Sequence, residues 1–155
     1  MEERVEITAK IKISDTEVFE RVASIISWYH GNCTTDDISE ILKKRDQLAV
    51  LSYNVAFISA DFKSMYNTSY YMRKIEVAKQ KQGFINNRKM TISMAELESQ
   101  ISGQGYLKAE IEAEAASYKV DLLLKQINKI LEAMNQRIAF ARAEEFTNRN
   151  QSQNG

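Results

Sequence analysis

Proline is absent from this chain of 155 residues, and glycine occurs only 5 times. Proline removes a backbone donor and clashes with the preceding turn, and glycine raises the entropic cost of ordering. Their scarcity therefore permits long helices. Cys33 is the one cysteine, which excludes a disulfide framework and fits a reducing compartment. His30 is the one histidine, and it lies close to Cys33. A thiol nucleophile or half a metal site is conceivable there. Without further ligands, the reading preferred is a loop thiol beside a polar ring. No apolar run approaches the ~20 residues that cross a bilayer, so no membrane partner is expected. The opening Met-Glu-Glu-Arg lacks the apolar core of a secretory signal. Net charge is also missing, with 21 basic and 21 acidic residues. At this length the chain is one domain, or a small domain with an arm.

What is present is helical periodicity. Val5, Ile7, Ala9, Ile11 and Ile13 first alternate with mostly polar residues, a strand period. Ser14-Asp15-Thr16-Glu17 then reads as a capping box opening a helix that buries Val18, Val22, Ile25 and Ile26 and stops at Gly31-Asn32. Thr35-Asp36-Asp37 starts a second helix, with no breaker for about 47 residues, until Gly83. Ile38, Ile41, Leu48, Val55, Phe62 and Tyr66 keep a 3–4 spacing, interrupted by Arg45, Ser52 and Ser59. Between Leu48 and Phe62 nearly every side is apolar, which predicts burial on more than one side and hence subunit contacts. Residues 82–89 read as a turn, and Ser93-Met94-Ala95-Glu96 as a capping box restarting the helix. Ser102-Gly103-Gln104-Gly105 predicts a break or bend. Val120, Leu124, Ile127, Leu131, Met134, Ile138 and Ala141 form a strict heptad, widened by Leu123 and Ile130. The helix is expected to end near Phe146, leaving a polar, disordered tail.

The expected fold is mainly α. It is a long antiparallel helical hairpin assembling into an oligomeric helical bundle or ring, with a small N-terminal strand-plus-helix element. The expected divisions are 1–34 for that element, 35–147 for the hairpin and 148–155 for the tail.

Chemistry is sparse. There is no Gly-x-Gly-x-x-Gly and no phosphate loop, and no cofactor is expected. Glu110, Glu112 and Glu114 look like a carboxylate cluster, but a spacing of two turns successive members about 200° around a helix. Glu110 and Glu114 share a face, and a two-metal nuclease site would need matching ligands from other helices. Glu96 and Glu98 are the only further candidates and have no histidine partner. A solvated face is preferred, and no enzyme activity or metal site is expected.

The stronger signal is basic. Arg73, Lys74, Lys79, Lys81, Arg88 and Lys89 fall within seventeen residues, opposed only by Glu76, with Tyr66, Tyr70, Tyr71 and Phe84 interleaved. Basic grooves with aromatic faces grip single strands, the cations following phosphate and the rings stacking on bases. The tyrosines could equally be packing residues, and the charges a solvated surface.

Two stretches carry a resemblance. Residues 122–137, Leu-Leu-Leu-Lys-Gln-Ile-Asn-Lys-Ile-Leu-Glu-Ala-Met-Asn-Gln-Arg, resemble the C-terminal helix of the UvsY family of phage recombination mediators. The shared pattern is an apolar triplet, a spacer, Leu-acid-Ala-apolar, two polar residues and Arg. Residues 72–81, Met-Arg-Lys-Ile-Glu-Val-Ala-Lys-Gln-Lys, resemble the family's first long helix, where such a run leads into a basic-x-basic motif and a glycine turn. The likeness covers about residues 40–146. It implies a ring-forming helical oligomer, in the cytoplasm of an infected bacterium, that binds single-stranded DNA. It also implies two protein partners, a RecA-like recombinase and the single-strand binding protein which that recombinase replaces. The family's DNA motif falls on Lys79 and Lys81. The tyrosine pair that follows it in the family is replaced by Gly83-Phe84-Ile85, and residues 1–34 look added.

The expected function is thus a non-enzymatic recombination mediator. Its DNA-binding residues would be Arg73, Lys74, Lys79, Lys81, Phe84, Arg88 and Lys89. The alternative is a helical scaffold or virion assembly protein with no role in DNA processing.

Overall fold

A computed structural model describes residues 14–33 and 37–153. The strand expected from Val5 to Ile13 and the Thr35-Asp36 start signal lie outside these residues. Four helices account for nearly all of the rest: α1 Asp15–Asn32, α2 Ile38–Arg88, α3 Ile92–Ser102 and α4 Gln104–Gln153. The protein is mainly α, and no strand occurs among the described residues.

Local chemistry explains where the helices start. The Ser14 hydroxyl accepts from the Glu17 N–H at 3.3 Å, as the capping box predicts. The Glu17 carboxylate pairs with Arg21 one turn on. Val18, Val22 and Ile25 are buried along α1, and Ile26 is half-buried. Asp37 caps α2, its carboxylate accepting from the Glu40 N–H at 3.1 Å. Thr91, not Ser93, caps α3, its hydroxyl accepting from the Met94 N–H at 3.4 Å. Both residue types cap well, so composition alone did not separate them.

The expected turn over residues 82–89 is a correction. α2 continues as helix through Gly83 and the two asparagines to Arg88. One glycine inside a helix costs only ~1 kcal/mol against alanine, which a long helix absorbs. The chain turns instead at Lys89, whose φ of 49° lies in the left-handed region. The Met90 N–H then reaches back to the Phe84 carbonyl at 3.4 Å. The break at Gly103 falls as expected. Its N–H donates to the Ser99 carbonyl at 3.0 Å, and its carbonyl receives the Leu107 N–H at 3.1 Å. A Cβ on Gly103 would lie 2.6 Å from Val77 Cγ2, so glycine permits a close approach to α2. α4 runs past Phe146 to Gln153, since no proline or glycine interrupts that stretch.

The chain forms two compact units, and α2 and α4 contribute to both. The first takes the described residues up to Ala56 and those from Leu123 onward. Its core is aliphatic: Val18, Val22 and Ile25 of α1, Ile41, Leu48, Leu51 and Val55 of α2, and Ile127, Ile130, Met134 and Ile138 of α4. Leu124, Leu131 and Ala141, the alternate heptad positions, are half-buried.

The second unit, Phe57–Leu122, has a different interior. Ile58 and Val120 are its only large buried aliphatics among the described residues, and the rest is Ser59, Ala95, Ser99, Gly103, Glu110 and Ser117. Polar pairs hold it. Ser59 donates to Asp121, Lys63 pairs with Asp121 at 3.1 Å, Arg73 with Glu110, and Lys81 with Glu96 at 3.1 Å. The partner's number falls as the α2 number rises.

The two glycines should answer alanine with opposite signs. Gly83 has open space around it, so Gly83→Ala is expected to stabilise by about 0.5–1 kcal/mol. Gly103→Ala is expected to destabilise by about 1–3 kcal/mol through overpacking against Val77. Urea unfolding of the two variants checks both signs.

Candidate nucleic-acid interface

Because α2 is helical to Arg88, the basic residues are sorted by helical phase. Residues seven apart drift only ~20° and lie ~10 Å apart along the axis. Lys74, Lys81 and Arg88 therefore share one side of α2. Tyr70 and Phe84 precede Lys74 and Arg88 by one turn each. The Lys74 ammonium sits 4.5 Å from the centre of the Tyr70 ring, and the Arg88 guanidinium 5.1 Å from that of Phe84. Both are cation–π distances. The side is thus a run of paired cations and rings, with Lys74 and Arg88 exposed and both aromatics half-buried.

Tyr70 is the centre of a larger cluster. Its ring lies 6.5 Å from Tyr66 and 5.5 Å, edge-on, from Tyr71, and Arg73 lies 5.8 Å over it. Tyr70 is outside the expected list of DNA-binding residues, but its position one turn before Lys74 already makes it, with Phe84, a candidate ring for stacking on bases.

Lys79 does not join this run. Two residues separate it from Lys81, so the two side chains diverge by about 200° around α2. A basic-x-basic motif presents both charges together only where the backbone turns, and here it does not. Lys79 pairs instead with Glu76 at 2.9 Å.

Arg73 faces inward. Its guanidinium grips Glu110 with two hydrogen bonds, one from Nη2 at 3.4 Å and one from Nε. That bond raises the pKa of the guanidinium, outweighing the lowering by burial. Glu110 is buried and occupied, and it offers no free carboxylate to a metal ion. No group of three or more His, Cys, Asp or Glu that could hold a metal occurs among the described residues.

Three of the expected cations therefore meet carboxylates: Arg73 with Glu110, Lys79 with Glu76, and Lys81 with Glu96. Glu96 and Glu110 lie 15 and 37 residues along the chain from their partners, too far for sequence spacing to reveal them. Among the described residues Lys74, Arg88 and Lys89 have no carboxylate partner, and all three are exposed. Arg88 also stands in the last turn of α2, where a cation favours the helix dipole. Lys89 follows it in the left-handed conformation.

No helix among the described residues is long and apolar enough to cross a membrane. Searches for similarity gave no matching protein-family model, no matching curated protein and no matching solved structure.

The two glutamates on one face of α4 should part company on substitution. Glu110→Gln weakens a buried charge-assisted pair and is expected to cost about 1–3 kcal/mol, at the lower end because Arg73 is partly in water. Glu114→Gln, at an exposed site, is expected to leave the melting temperature unchanged. Thermal unfolding followed by circular dichroism measures both.

Proposed function

We propose that this chain is a non-enzymatic recombination accessory protein that binds single-stranded DNA through the basic side of α2. On this reading α2 and α4 form an antiparallel hairpin, supported by the falling numbers of their cross-helix partners. Copies of the hairpin assemble into an oligomer larger than a dimer, multiplying weak contacts into avid ones. The assembled protein helps a RecA-like recombinase displace the single-strand binding protein, as the likeness to the UvsY family implies.

One observation carries the binding site. Lys74 with Tyr70 and Arg88 with Phe84 repeat a cation-on-ring unit along one side of a helix, with Lys81 between them. Such a side offers phosphate contacts and stacking faces in alternation. Arg88 already covers Phe84, so a base stacking there meets the guanidinium edge or displaces it. Arg73 supports the site by orienting α2 and Tyr70. Lys79 contributes long-range charge only, and Lys89 extends the site at the helix end.

A second reading, a helical scaffold or virion assembly protein, draws support from the three cations engaged with Glu76, Glu96 and Glu110. Those pairs lower the field available to a polyanion. The two readings differ in salt dependence. DNA binding by counterion release weakens steeply as salt rises, by ~0.7 in log–log slope for each phosphate contact to a single strand.

The double variant Lys74→Ala/Arg88→Ala is expected to weaken oligonucleotide binding and flatten the slope by at least ~1.4. Lys79→Ala is expected to change neither by more than a small amount. Fluorescence anisotropy over a salt series, with mass and helicity checked first, makes the comparison. Wild-type affinity and slope in the double variant would leave the scaffold reading in front.

A further inference from the structure

The second unit is apolar on the outside. Of the large hydrophobic side chains exposed among the described residues, fourteen lie in Phe57–Leu122 and four elsewhere. That unit buries only two large aliphatics of its own, Ile58 and Val120. The exposed side chains are ordered. On α3, Met94, Leu97 and Ile101 follow steps of three and four and are 57%, 60% and 51% exposed. On α4, Leu107, Ile111, Tyr118 and Leu122 fall on one face, with exposed Ala115 continuing the 3–4 spacing. The buried Glu110, Ser117 and Val120 lie roughly 100–180° round α4 from the middle of that stripe. The larger apolar stripe thus points away from the unit's own interior, the reverse of a self-sufficient helix pair.

We infer that copies of this chain associate through this outer face of α3 and the first half of α4. The inference rests on the assembly proposed above and moves its main interface away from Leu48–Phe62. Area favours a second copy as the occupant. Seven side chains between 42% and 62% exposed, on two consecutive helices, together offer on the order of 700 Å², against ~800 Å² per partner in a stable interface. A monomer seldom leaves a patch above ~300–600 Å² uncovered. Charge agrees. Lys108 and Lys119 flank one edge of the α4 stripe, with Glu112 held by Lys108 at 4.0 Å, and Glu114 flanks the other, beside Asp121, which Ser59 and Lys63 already engage. Two such helices laid in the same direction bring unlike edges together, and laid in opposite directions they bring like edges together. A zero net charge adds no repulsion between copies.

The test is Ile111→Glu/Tyr118→Glu, examined by light scattering at micromolar concentration beside the wild type. Both side chains face outward in a single copy, so helicity should be retained. Wild type is expected as an oligomer and the variant at the mass of one chain, 17.8 kDa. Phe57→Glu, on the exposed side of α2, is expected to leave the oligomer intact. Tyr118→Cys in a Cys33→Ser background is expected to cross-link copies on oxidation, since parallel helices set like residues level. A wild-type oligomer that the double variant leaves whole, or that only Phe57→Glu dissociates, overturns this inference and spares the assembly. Failure of Tyr118→Cys to cross-link overturns the parallel arrangement. A monomeric wild type overturns both the interface and the assembly.

Discussion

The pairing of Arg73 with Glu110 fixes the phase of α2 in the second unit. The guanidinium fork and the carboxylate match in geometry, with Glu110 buried and Arg73 partly in water. Once Arg73 points inward, helical geometry leaves no freedom for its neighbours. Val77, one turn on, meets Gly103. Lys74, about 100° round from Arg73, is exposed on the flank of that inward face over Tyr70, and Arg88, only about 60° round, is exposed at the end of α2 over Phe84. The candidate binding side is thus the flank of the face that Arg73 and Val77 turn inward.

The two units are held by different physics. In the first, three helices contribute branched aliphatics at 3–4 spacing, and burial of apolar surface drives their packing. In the second, small residues and polar pairs occupy the space between helices. Ser59 with Asp121 and Lys81 with Glu96 set register, but pairs of this kind add little net stability. A unit with so little apolar interior gains most by covering its exterior. That links the proposed interface to the proposed binding side. Association through α3 and α4 would fix the unit that presents Lys74 and Arg88, and would repeat those cations with each added copy.

Local signals were read well where the determinants are local. The Ser14 cap, the stop at Asn32, the break at Gly103 and the buried Val18, Ile41, Leu48, Val55, Ile127 and Met134 all follow from spacing a few residues long. Residues 82–88 stay helical because glycine and asparagine at 83, 86 and 87 are weak breakers. The backbone reverses at a lysine in a conformation it adopts reluctantly. The apolar breadth of residues 48–62 is real, with Val50, Tyr53 and Phe57 exposed opposite the core. The richer exposed surface, on α3 and α4, is not legible in the sequence, because periodicity does not tell which of two stripes faces in.

Composition and periodicity by themselves determined that this chain is helical, that its helices are long, and where most of them begin. These are properties of single residues and their near neighbours: no proline, few glycines, good caps, a 3–4 apolar repeat. Only the tertiary structure decided which charges are held by carboxylates. Glu96 and Glu110 reach Lys81 and Arg73 across space, and Coulomb attraction depends on that separation rather than on distance along the chain. The same folding separated Lys79 from Lys81, because a continuous helix turns neighbours two apart to opposite sides.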